Sequence, residues 1–142
     1  MAAPSMHVVV ADADAEARAT TIAVLREVGE STSMDLKIHE ASTGTSALAL
    51  CSDHRPRLLI SEILLEGLSG LAILRRLRSE SASETAVIFV THLARENDRF
   101  WGLRNGALAY LAKPYDTVVL RDRIRRVLTD GPAATPERPR QL

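Results

Sequence analysis

Short apolar runs alternate with segments of helical periodicity along most of the chain. His7-Val8-Val9-Val10-Ala11 is continuous and β-branched, the pattern of a strand buried on both faces. The chain turns at Asp12 to Asp14. Asp14 is placed to cap a helix reaching about Val28, with Ala17, Thr21, Val24 and Val28 at helical spacing and Gly29 as its stop. Residues 36–41 alternate and predict a second strand near a sheet edge. Thr43-Gly44 opens a helix carrying Ala47, Leu48 and Leu50, and Pro56 ends that region. Residues 58–62 form a third strand, central by its apolarity. A loop over 66–70 leads into a helix with Leu71, Ile73, Leu74 and Leu77.

Residues 86–91 predict a fourth strand and 95–105 a helix ended by Gly106. Residues 110–112 predict a short fifth strand closed by Lys113-Pro114. The last helix begins near Asp116, with Leu120, Ile124, Val127 and Leu128 as its stripe. About five strand–helix pairs in this order predict an α/β fold. Its parallel sheet is doubly wound, with helices on both faces. Residues 1–6 read as an N-terminal tail, 7–129 as the domain, and 130–142 as a Pro-rich tail expected to be disordered.

In a sheet of this kind the site lies at the carboxyl ends of the strands. Asp12, Glu62, Thr91 and Lys113 each sit at or just past a strand end, so they are expected to converge. That set holds two carboxylates, a hydroxyl and an ammonium.

Composition narrows the classes. The 142 residues carry 18 Lys+Arg and 18 Asp+Glu, so the balanced charge gives no general attraction to nucleic acid or anionic membrane. No apolar run approaches a membrane span and the first residues do not resemble a signal peptide, so a cytoplasmic setting is expected. A lone cysteine, Cys51, excludes an internal disulfide and a Cys-rich zinc site. His7, His39, His54 and His92 show no metal-ligand spacing in the sequence.

Several motifs carry a resemblance. Val8-Val9-Val10-Ala11-Asp12-Ala13-Asp14 resembles the acidic first-strand motif of response-regulator receiver domains. Leu58 through Gly70, LLISEILLEGLSG, is similar to their phosphoacceptor strand and loop. Val87 to Thr91 resembles the strand that ends in the switch hydroxyl. Gly106 through Pro114 matches the family's G-A-x-x-Y-L-x-K-P segment. The resemblance runs from His7 to about Leu128 and implies the flavodoxin-like, CheY-like five-stranded fold. It also implies that Glu62 stands where the family has its phosphoacceptor aspartate. Thr91 and Tyr110 then match the switch residues, and Lys113 the phosphate-binding lysine. Asp12 matches one metal-site acid, but the second is Ala13, and Asp14 is expected to cap the helix.

The family's Mg²⁺ and aspartyl-phosphate chemistry depends on placing a few carboxylates well. Ala13 removes a ligand and Glu62 adds a methylene. Misplacement of about 1 Å can cost on the order of 10²-fold in rate. No catalysis and no cofactor are therefore expected, and Asp12 is expected to be a vestigial metal residue. Glu62 and Lys113 are expected to pair without metal. A carboxylate aimed at Thr91 would imitate a phosphoryl group only in part, lacking its charge and its three oxygens.

The leading expectation is a phosphorylation-independent interaction module of two-component signalling. The alternatives are a working phosphoacceptor with unusual ligands, Asp12, Asp14 and Glu62, and the regulatory domain of a longer transcription factor. The expected partner is a protein: a sensor kinase, an output protein, or a second copy through the face of the fourth helix, fifth strand and fifth helix. Phe100 and Leu103 are the inward candidates of the fourth helix. Trp101, Leu108 and Ala109 are expected to form an apolar patch on that face. Phe100 to Ala107, FWGLRNGA, also resembles the single-domain regulators of type IV pilus (twitching) chemosensory systems.

Overall fold

The computed structural model describes residues 5–80 and 83–130. Five parallel strands lie in the order β2-β1-β3-β4-β5: β1 (Ser5–Ala11), β2 (Asp35–Ala41), β3 (Leu58–Ser61), β4 (Ala86–Thr91) and β5 (Ala109–Ala112). Five helices connect and follow them: α1 (Ala15–Thr32), α2 (Gly44–His54), α3 (Gly70–Ser79), α4 (Glu96–Arg104) and α5 (Thr117–Asp130). The expected flavodoxin-like doubly wound fold is the observed one, with β2 at an edge.

The pleat of β1 sends alternate valines to opposite faces. Val8 and Val10 join Leu25, Ile60, Leu120 and Ile124 in the layer under α1 and α5. Val9 joins Ala47, Leu59, Ile73, Leu74 and Phe89 under α2, α3 and α4. Both sets are almost wholly buried. Each large apolar side chain so buried contributes about 1.5–3 kcal/mol before the entropy of ordering is charged against it. Two cores sharing one sheet hold the strand ends in a fixed register.

Boundaries differ from the sequence reading in places. Helix α1 runs through Gly29 and ends at Ser33 in the left-handed region, φ 56°. Gly29 lies inside the helix, where an added Cβ would stand 3.3 Å from both Leu36 Cδ1 and Met34 O, so the glycine serves close packing rather than termination. Asp14 does cap α1, accepting from Glu16 N. Strand β1 begins at Ser5 and α5 reaches Asp130, so the folded unit takes in residues assigned to both tails. The tail from 131 onward lies outside the described residues.

Candidate functional site

Backbone hydrogen bonds carry the sheet ladder past the strand ends. Asp12 N donates to Ala41 O at 3.0 Å, Glu62 N to Ala11 O at 2.9 Å, and Lys113 N to Thr91 O at 2.7 Å. Asp12, Glu62, Thr91 and Lys113 thus meet at one end of the sheet, as the strand-end rule predicts.

Glu62 is buried at 3% exposure and its carboxylate is saturated with donors. Oε2 accepts from Ile63 N at 2.6 Å, Leu64 N at 3.1 Å and the buried Thr91 hydroxyl. Oε1 accepts from His92 N at 3.1 Å and Lys113 Nζ at 3.4 Å. Burial alone would push this carboxyl upward. The bonds from Thr91, His92 and Leu64, with the Lys113 ammonium, outweigh it and hold the group below its ordinary value.

Lys113 is shared. Its shorter contact is to Asp12 Oδ2 at 2.6 Å, and the expected pairing with Glu62 is the longer of the two. Burial would lower the Lys113 ammonium, but Asp12 and then Glu62 raise it above its usual value. Asp12 is fixed in turn: Oδ1 accepts from Asp14 N at 2.9 Å, and its carbonyl accepts from Arg18 Nη1 at 2.7 Å. Arg18 continues to Glu40 at 3.2 Å. Arg18 and the backbone donors of Ile63, Leu64 and His92 escaped the sequence reading. A main-chain N–H carries no residue signature, and Arg18 is one of several helix-surface arginines.

Tyr110 is buried at 4% exposure, and its hydroxyl donates to Leu93 O at 2.6 Å. Its ring stands edge-on to Phe89 and over Gly102. Trp101 is half exposed, at 50%, and lies edge-on to Phe100. Trp101, Leu108 and Ala109 do not form the expected apolar patch: Ala109 is 1% exposed in the core, and Leu108 packs against that core. Strand β5 begins one residue earlier than the expected 110–112 and sets Ala109 and Leu111 on one face. The inner face of α4 is Gly102 and Leu103, with Phe100 only partly buried.

Spacing in the sequence gave no sign of a cluster, yet His7, His39 and His54 meet on the α2 side of β1 and β2. The signal missed is topological. Parallel pairing sets Val9 opposite His39, which brings His7 and His39 to one face.

Comparison with known proteins agrees with this geometry. Protein PilH of Pseudomonas aeruginosa is 34% identical over 65% of this chain and 77% of its own length. Transcriptional regulatory protein CseB of Streptomyces avermitilis is 34% identical over 94% of this chain and 56% of its own length. The chain spans between a fifth and just over half of several longer regulators that it matches. The fold is shared with the receiver domain of a signal transduction histidine kinase from Syntrophus aciditrophicus, with TM-score 0.75 and 24% identity. That likeness covers 89% of this chain and 92% of the other. The family model described as "Response regulator receiver domain" matches residues 8–125. The chain belongs to that family and is a receiver of two-component signalling.

Proposed function

We propose that this receiver works as a phosphorylation-independent interaction module in the cytoplasm. The observation that carries the reading is the saturation of the Glu62 carboxylate by five donors. A carboxylate so held is neither free to attack a phosphoryl group nor free to bind a cation. Mg²⁺ requires near-octahedral oxygen ligation from well-placed carboxylates. Ala13 offers none, and the Lys113 ammonium occupies the space between Asp12 and Glu62. These residues do not fit the ion, and the one ammonium already serves both carboxylates from the place a cation would take.

The same contacts favour one standing switch arrangement. Thr91 is turned toward Glu62, and Tyr110 is turned inward on Leu93. A protein partner, whether sensor kinase, output protein or second copy, would then read a fixed surface of α4, β5 and α5. Trp101, Val118 and Val119 are exposed on α4 and α5. Asp14 gives no support to a rescued metal site, since its Oδ1 caps α1.

The test is incubation of the full chain with acetyl phosphate and Mg²⁺, read by intact mass. An unmodified mass supports the reading. A phosphoryl adduct, lost after Glu62→Gln, overturns it.

A further inference from the structure

His7 comes from β1, His39 from β2 and His54 from the last residue of α2. Pleating puts His7 on the same face as Val9, and Val9 pairs with His39, so both imidazoles rise toward α2. His54 closes over them where α2 ends. The three rings are stacked, with centroids 5.2 Å apart for His7–His39, 5.2 Å for His7–His54 and 3.9 Å for His39–His54. His7 Nδ1 lies 2.9 Å from His39 Nε2. One nitrogen of each ring lies within 4.8 Å of the other two.

The geometry points to a binding site for a divalent transition-metal ion, Zn²⁺ in the plainest case, held by His7, His39 and His54. Zinc binds imidazole nitrogen at about 2.0–2.1 Å, so tetrahedral ligand nitrogens stand about 3.4 Å apart. The observed nitrogens bracket that spacing, and the rings, now stacked within 13–19° of parallel, turn out of the stack to aim their lone pairs at one ion. Three imidazoles leave a fourth position for water. A ligand set of nitrogens without carboxylate favours zinc, nickel or copper over Mg²⁺ or Ca²⁺.

The protonation state suits ligation. In the His7–His39 contact one nitrogen must accept, so the facing pair cannot both carry protons. His39 is held below its ordinary value by burial and by its two histidine neighbours. Neutral imidazole is the form that binds metal. All three rings are half-buried and reachable from solvent. His7 also lines an open cavity of about 660 Å³ with Ser5, Met6, Arg55 and Arg57. A bound ion would tie the edge strand β2 to β1 and α2, and mass action would stabilise the fold.

Titration calorimetry of the full chain with zinc chloride in a non-chelating buffer at neutral pH tests this. The expected result is one equivalent bound with Kd on the order of 1 µM or tighter, and a melting temperature that rises with zinc. His39→Ala and His54→Gln, each first checked for a native circular dichroism spectrum, should each weaken binding by about tenfold or more. Asp12→Asn should bind as the parent does, which separates this site from the acidic pocket. Absence of saturable binding in the micromolar range overturns the proposal. So does zinc affinity that survives both histidine changes, or that is lost in Asp12→Asn.

Discussion

Lys113 Nζ and Asp12 Oδ2 stand 2.6 Å apart across a separation of 101 residues, with both side chains about nine-tenths buried. This contact joins the end of β5 to the end of β1 across the acidic pocket. Its removal from one side leaves an unbalanced buried charge, which costs more than the intact pair contributes. Lys113→Met should therefore destabilise the chain by about 3 kcal/mol, because Asp12 and Glu62 then face each other without a cation. Asp12→Asn should cost less, since Glu62 still holds the ammonium at 3.4 Å. Urea unfolding at neutral pH checks both. A Lys113→Met midpoint equal to the parent's would show that the ammonium is not balancing the pocket.

Glu62 and Ala13 stand where the family resemblance implies an aspartate nucleophile and a second metal-site acid. Glu62→Asp shortens the side chain by one methylene and draws the carboxylate back from Thr91. Ala13→Asp supplies a second acid beside Asp12. The double variant should take a phosphoryl group from acetyl phosphate in the presence of Mg²⁺, with the parent remaining unmodified under the same conditions. Either single variant should gain little, because the nucleophile and the cation site are both required. Intact mass over a time course distinguishes these outcomes. A double variant that binds Mg²⁺ yet stays unmodified would place the block elsewhere.

Much of this arrangement was legible in the sequence. The alternation of buried runs and helical stripes located every element, and the strand-end rule located the four converging side chains. What escaped was set by neighbours that the one-dimensional pattern does not show. Gly29 reads as a stop but is a close-packing residue inside α1. Ala109 reads as surface, but the register Ile88↔Ala109 places it in the core. The histidine cluster needed the pairing of β1 with β2 before it could be seen. Lys113 has a choice of two carboxylates, and sequence spacing cannot rank them.

Gly102 and Tyr110 give a prediction in which two effects oppose. A helical Gly→Ala change gains up to about 1 kcal/mol of intrinsic propensity. A Cβ at Gly102 would lie 2.8 Å from Tyr110 Cδ2 and 3.4 Å from Phe89 Cδ2. The tyrosine ring has little freedom to yield, since its hydroxyl is tied to Leu93 O at 2.6 Å. Overpacking of this kind costs about 1–3 kcal/mol, so Gly102→Ala should be destabilising on balance. Burial, with the charges of Asp98 and Glu62, raises the Tyr110 phenol above its ordinary value. Displacing the ring should lower that phenol, and ultraviolet titration of the native variant measures it. A variant more stable than the parent, with an unchanged tyrosine titration, would show that the ring moves without cost.

Cys51 carries the clearest pH signature. Burial, followed by the charge of Glu80, pushes its thiol up to about 12, and the residue is 3% exposed. In the unfolded chain a thiol titrates near 8.5–9, roughly. Between those values the unfolded state has released its proton and the native state has kept it. Stability therefore falls as pH rises from about 9 toward 12, and this group adds no pH dependence below that window. At pH 8 the native thiolate population should be about a thousandfold below that of a free cysteine, from the difference between about 9 and about 12. Reaction with a chromogenic disulfide should then follow unfolding rather than direct attack on the folded chain. Its rate should rise with urea in step with the unfolded fraction. Labelling of the native protein within about tenfold of the free-cysteine rate at pH 8 would contradict the burial of this helix face.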